Sequence, residues 1–180
     1  MTYEKKKKLL KIFVPICILI ALILIWTFKT NSNQIDNSIS ENTQIEINED
    51  FILEVSEIDL DKLKGYNLPI IINFGADSCI PCKEMAPVLK ALNEQMQGKA
   101  IIKFVDVWKN GEAANGFPIQ VIPTQVLINS DGTPFVPSKD IQINFTMYST
   151  RDTNEHVFTV HQGGLNEDQM RLILNDMGVN

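Results

Sequence analysis

Hydrophobic and polar positions divide the chain into two unlike parts. Residues 12–28, "IFVPICILIALILIWTF", carry no charge, and residues 29–50, "KTNSNQIDNSISENTQIEINED", are dominated by Asn, Ser, Gln and acids. Beyond them, short apolar segments alternate with polar ones. "FILEVS" is a brief alternating start, and Ile58, Leu60 and Leu63 suit a short helix stopped by Gly65. "LPIIINFGA" is a continuous apolar run, the pattern of a strand buried on both faces. Met85, Val88, Leu89, Leu92 and Met96 recur at helical spacing up to Gly98, with Pro87 placed to kink the helix. "KAIIKFVDVW" and "TQVLINSDG" read as strands around a short helix in "NGEAANGF", the second running into a turn at Asp131-Gly132. "IQINFTMY" alternates, with Ile141, Ile143, Phe145 and Met147 on one face, and "HVFTVHQGG" returns after the polar turn "TRDTNE". Asn166 and Gln169 make a capping-box-like start to a last helix whose stripe is Met170, Ile173, Leu174 and Met177. The order βαβαβαβββα predicts an α/β domain, a central mixed sheet flanked by helices on both faces, with an enlarged C-terminal β-hairpin.

The N-terminal part has a different logic. A helix over residues 12–28 would span roughly 25 Å, and its flanks can stretch it towards a bilayer core. Lysines between Lys5 and Lys11 precede the run, and Trp26 stands at its far end, where an indole suits the membrane interface. No small-x-small cleavage site follows, and Cys17 sits mid-run, where a lipoprotein signal would not place it. Cys17 then reads as a small apolar residue facing lipid. The expected organisation is a membrane anchor over 1–28 inserted in the lipid bilayer through 12–28, a flexible tether over 29–50 and a folded domain over 51–180. Lysines before the run and almost none after it place the N-terminus in the cytoplasm and the domain outside the cell membrane, where disulfide chemistry is possible.

Charge removes one class of function. The formal net charge is −6, and outside the membrane-proximal lysines no basic cluster exists to neutralise phosphates, so no nucleic-acid partner is expected.

Two of the three cysteines, Cys79 and Cys82, stand in "GADSCIPCKEMAP". A zinc site would need further ligands, and the domain offers only His156 and His161. Five positions apart in a strand, these two point to opposite faces. A structural staple fits poorly, because bridging residues so close removes little chain entropy. Thiol–disulfide exchange remains. Cys79 stands where a buried strand gives way to a helix, whose unpaired N–H groups favour the nucleophilic thiolate. Cys82, one turn further in, is the shielded partner that resolves the mixed disulfide.

Residues 51–180 resemble the thioredoxin superfamily, in its membrane-anchored extracytoplasmic form. "CIPCK" is similar to that family's active-site CxxC, "MAP" with Pro87 to the proline of its active-site helix, and "VIPT" to the loop whose proline is cis against the cysteine pair. The resemblance implies a cis bond before Pro123 and a substrate segment paired with the Ile122 backbone, while Ile80 and Pro81 border the entrance. It implies no cofactor beyond the redox-active Cys79–Cys82 disulfide. Its partners would be protein disulfides as substrates and, for a reducing member outside the membrane, a cytochrome-c-biogenesis-type thiol-electron carrier in the membrane. Three positions depart from the family pattern. Asn73 stands where a buried acid is common, Ser78 where an aromatic is, and Ile80 replaces the glycine of the reducing members.

The expected function is a membrane-tethered oxidoreductase that reduces extracytoplasmic disulfides, for cytochrome c maturation or general thiol repair. A thiol oxidase or disulfide isomerase is the nearest alternative. A Cu(I) metallochaperone and a non-catalytic tethered interaction module are alternatives of another class. The stretch from Thr133 to Glu155 exceeds what a minimal fold of this kind needs, and serves either as decoration of the sheet edge or as a docking surface. Trp108 and Phe117 are expected in core or rim packing.

Overall fold

The computed structural model describes residues 48–179. The anchor and most of the tether expected from the sequence lie outside the described residues. Among the described residues no helix is long and apolar enough to cross a membrane.

A five-stranded mixed sheet organises this part, in the order β2-β1-β3-β5-β4. Its strands are β1 (Ile70–Gly75), β2 (Ile101–Asp106), β3 (Thr124–Ile128), β4 (Thr146–Ser149) and β5 (His156–Gln162). β1 runs parallel to β2, and the pairings β1–β3, β3–β5 and β4–β5 are antiparallel. Every residue of β1 and β3 is buried, as a strand covered on both faces requires.

Helices cover both faces. α2 (Ile80–Gln95) and α3 (Glu167–Asp176) press Met85, Leu89, Leu92, Met170, Ile173 and Leu174 onto Ile71, Ile102 and Leu127 of one face. α1 (Leu60–Lys64) packs Leu63 on the other, against Ile70, Ile72, Phe74 and Val126. Burying one such side chain contributes about 1.5–3 kcal/mol. The cap of α3 is a full capping box: the Asn166 side chain accepts from Gln169 N, and Gln169 Oε1 accepts from Asn166 N. Asp59 caps α1 by accepting from Lys62 N, and Gly65 ends it.

Four expectations change. The strand expected first, in "FILEVS", is reduced to a single bridge between Glu54 and Phe104, so the sheet has five strands rather than six. Asn48 to Asp50, assigned to the tether, are folded: Asp50 accepts from Lys62 Nζ at 2.6 Å and from the Tyr66 hydroxyl. The short run of acids and amides masked that role, because only Phe51 beside it is apolar enough to be buried. Next, Ile141 to Phe145 belong to no strand and bend at Ile143, and β4 begins only at Thr146. Ile141, Ile143 and Phe145 pack against the α2/α3 side, whereas Met147 is exposed and Tyr148 turns to the α1 side. The alternation of faces therefore holds through β4, and what alternation alone cannot reveal is where the ladder begins. Lastly, Trp108 is 65% exposed rather than packed, while Phe117 does pack, between Phe74 and Phe158.

Candidate active site

The junction between the loop after β1 and the first turn of α2 carries the two cysteines. Cys79 is the N-cap residue of α2, with extended backbone angles, and its carbonyl accepts the first helical bond from Lys83 N at 3.0 Å. Pro81 lies in the first turn, where its missing N–H costs nothing. No acidic residue occupies that turn, so the positive end of a sixteen-residue helix faces Cys79 uncompensated. A thiolate there is stabilised. Cys79 and Cys82 are joined in a disulfide, with their Cα atoms 5.2 Å apart. Cys79 is half-buried, and Cys82 is only 4% exposed. Pro87 lies within α2 on its exposed side and removes one N–H from the helical ladder.

The opposite wall is the loop before β3. The Ile122-Pro123 bond is cis, and Cys79 Sγ lies 3.9 Å from the Ile122 carbonyl oxygen. That oxygen is an acceptor for the Cys79 thiol only in the reduced protein, since a disulfide sulfur carries no hydrogen. The loop is tied on both sides: Gly163 N donates to Pro123 O at 2.8 Å, and Thr124 Oγ1 donates to Val121 O at 2.7 Å. Pro123 is buried and Ile122 half-buried. Around the pair the surface is apolar, with Ile80 72% and Val121 51% exposed.

Beneath the disulfide, Gly75 has no room for a side chain. A Cβ there would stand 2.9 Å from Phe104 Cε2 and 3.3 Å from both Cys82 Sγ and Asn73 Nδ2. Asn73 and Gln125 are opposite each other in β1 and β3, both fully buried, and Gln125 Nε2 donates to Asn73 Oδ1 at 2.7 Å. Asn73 Nδ2 and Gln125 Oε1 are buried without a hydrogen-bond partner.

The loop before Cys79 is held from β2. The buried Asp106 carboxylate accepts from the backbone N–H groups of Asp77, Trp108 and Lys109 at 2.9–3.1 Å. Burial raises its pKa, yet these three donors and the nearby Lys109 ammonium hold it below the usual carboxylate value. Lys109 also pairs with Asp77, two positions before Cys79.

All six residues expected at the site therefore gather in one place: Cys79, Cys82, Ile80 and Pro81 at the start of α2, with Ile122 and Pro123 facing them. Gln125, Gly75 and Asp106 were not singled out in the sequence. The signal for Gln125 was a long polar side chain leading into the apolar run Val126 to Ile128, and only strand register shows what it meets. His156 and His161 form no metal site with the cysteines. His156 Nε2 lies 2.8 Å from Thr159 Oγ1 and His161 Nδ1 lies 2.8 Å from Asn144 O. Among the described residues no cluster of three or more His, Cys, Asp or Glu is arranged to hold a metal ion.

Comparison with known proteins agrees with this geometry. The thioredoxin family model matches residues 52–142. The chain is 31% identical over 90 residues to a thioredoxin of Borreliella burgdorferi, covering 49% of this chain and 77% of that protein. It is 39% identical over 67 residues to thioredoxin 1 of Chlorobaculum tepidum, covering 37% of this chain and 66%, just under two thirds, of that protein. A crystal structure of chloroplastic thioredoxin z superposes with a TM-score of 0.50 at 22% identity, covering 71% of this chain and 94% of that one. At that identity the likeness speaks to the fold alone. Sequence match and sheet topology coincide over the segment that holds both cysteines and the cis proline, and the chain belongs to the thioredoxin family of thiol–disulfide oxidoreductases.

Proposed function

We propose that the protein is a membrane-tethered reductase of extracytoplasmic protein disulfides. The observation that carries the chemistry is the asymmetry of the pair: Cys79 half-buried at an uncompensated helix N-terminus, Cys82 buried one turn further in. In the reduced protein the Cys79 thiolate attacks one sulfur of a substrate disulfide. A Cys79–substrate bond forms, the substrate S–S bond breaks, and the departing thiolate takes a proton from solvent. Cys82 then attacks Cys79 Sγ, forms the Cys79–Cys82 disulfide and releases the second substrate thiol. Two electrons pass from the protein to the substrate.

Main-chain groups of Ile122 next to the cis proline, with Ile80 and Pro81 opposite, offer an extended segment little that depends on its sequence. Broad substrate acceptance follows. The apolar run at 12–28 and the lysines before it support anchorage with the domain outside the cytoplasm. A dithiol in that location has to be recharged from across the membrane, and a membrane thiol-electron carrier of the cytochrome-c-biogenesis type supplies that chemistry.

The test is the reduction potential, measured by alkylating free thiols after equilibration in defined thiol–disulfide buffers. A value of about −220 mV or lower is expected of a reductase. One near about −120 mV would make the protein an oxidant and overturn the proposed direction.

A further inference from the structure

Asn73 is a buried donor without an acceptor, and its orientation is fixed. Its oxygen accepts from Gln125 Nε2, and that nitrogen is itself fixed by donating to Gly163 O at 3.2 Å. The opposite end, Nδ2, therefore points away from β3. Nδ2 and Cys82 Sγ each lie 3.3 Å from the point where a Gly75 Cβ would stand, so they border the same small volume. In the disulfide state the sulfur there is a weak acceptor, and Nδ2 is left unpaired. A thiolate is a strong one. Leaving a buried donor unpaired is costly, so the state that supplies the acceptor is favoured.

We infer that Asn73, held by Gln125, donates a hydrogen bond to the Cys82 thiolate once the disulfide opens, directly or through one water, and so stabilises the resolving sulfur without taking its proton. Asn73 is thus a positioning residue whose amide cannot titrate. The proton of the Cys82 thiol leaves by another route. A groove of about 280 Å³ reaches Cys82 from solvent between Leu53, Ala76, Lys83 and Phe104. The thiolate formed there attacks Cys79 Sγ in the mixed disulfide; the Cys79–Cys82 bond forms, the Cys79–substrate bond breaks, and the substrate thiolate is protonated by solvent. The substrate disulfide is the oxidant, so no further reagent is needed.

Charged groups face the groove from each neighbouring element. Glu54 comes from the segment beside β2, Asp77 from the loop before Cys79, and Lys83 and Lys90 from α2. Asp77 pairs with Lys109, and Asp106 behind it is occupied by backbone donors. His161, opposite Gln125 in β5, lies 2.8 Å through Nδ1 from Asn144 O. None of these hydrogen bonds reaches Cys82.

The inference rests on Cys79–Cys82 being the exchanging pair and is independent of the direction of electron flow. It is tested in the full-length protein carrying Cys17→Ser and Cys79→Ser, so that Cys82 alone contributes thiolate absorbance as pH is raised. A single thiolate transition is expected after the tyrosine contribution, read at a longer wavelength, is subtracted. Adding Asn73→Ala should lower the thiolate fraction at a fixed pH below the transition by about tenfold, the effect of losing one hydrogen bond to a charged group. Adding Asn73→Asp, nearly the same in shape, should introduce a second transition. The inference is overturned if Asn73→Ala leaves the Cys82 titration unmoved in a folded protein. Two transitions with Asn73 in place would also overturn it, since a titrating group would then already be coupled to Cys82. If Asn73→Ala does not fold, the profiles with Asn73 and with Asn73→Asp decide the matter by themselves. Either result stands apart from the measured potential, which tests the reductase proposal.

Discussion

The two faces of the sheet each bury a polar side chain, and they treat it differently. On the α1 face Lys103 of β2, 2% exposed, donates through Nζ to Ile52 O at 2.6 Å, and desolvation lowers its pKa while Asp50 raises it. On the α2 face Asn73 and Gln125 satisfy each other at one end and leave Nδ2 and Oε1 unpaired at the other. The first arrangement ties the segment before α1 to the sheet edge. The second lies under the disulfide, beside a glycine that keeps the space clear. A buried polar group with its partner in place is structural. One whose partner is missing in a given redox state belongs to the chemistry of that state.

Several substitutions break or sharpen this contrast. The largest effect belongs to the cysteines. Cys79→Ser should bring insulin-disulfide reduction down to background, since serine cannot form the mixed disulfide, and turnover at a sizeable fraction of the original rate would refute the nucleophile's identity. Next comes the support of the loop. Asp106→Ala removes an acceptor from three backbone N–H groups, and chemical denaturation should show a loss of about 2–3 kcal/mol. A change below about 0.5 kcal/mol would mean that the loop before Cys79 is held by other contacts.

Acid should weaken the fold through two carboxylates. Asp50 has its pKa lowered by hydrogen bonds from Lys62 and Tyr66, and Asp106 has its pKa lowered by backbone donors against the cost of burial. Each binds protons less readily when folded, so its contribution is complete above the unfolded value near about 3.9 and is lost as pH falls through the lower folded value. Thermal melts between about pH 5 and pH 2 should fall accordingly, and Asp50→Asn should flatten part of that decline. An unchanged slope would remove Asp50 as a contributor.

The smallest effect is expected at Lys103. Lys103→Met keeps the volume, gives up one hydrogen bond and removes the cost of burying an ammonium, so stability near neutral pH should change by less than about 1 kcal/mol. Because its folded pKa is lowered, the unfolded chain binds more protons between the folded value and about 10.4. Stability gained there as pH rises should disappear in Lys103→Met. A shift in the reduction potential of that variant would break the contrast between the faces, because Lys103 lies on the side away from Cys82.

Much of this was legible in the chain. β1 announced itself as an apolar run, β3 as a short strand running into the turn at Asp131-Gly132, and α2 and α3 as stripes at helical spacing, because burial on two faces or one stripe writes a pattern into sequence. Cys79 and Cys82 were legible because their chemistry depends on residue type and close spacing, and Pro123 because "VIPT" resembles the family's cis-proline loop. The stretch at 141–147 was not, since alternation reports that one side of a chain is covered, and that holds for Ile141, Ile143 and Phe145 with no ladder partner. The Asn73–Gln125 pair was invisible for a different reason. Its members are 52 positions apart, and only the antiparallel register of β1 with β3 brings them together.

The division of labour between the cysteines can be tested by trapping. The full-length protein carrying Cys82→Ser, and separately Cys79→Ser, is reacted with a small aromatic disulfide, and the adducts are located by mass spectrometry. A fast-forming, persistent mixed disulfide on Cys79 in the Cys82→Ser protein, with slow or no reaction at Cys82 in the other, is the expected result. Equal rates at the two sulfurs, or faster capture at Cys82, would contradict the assignment of Cys79 as nucleophile and Cys82 as resolving partner.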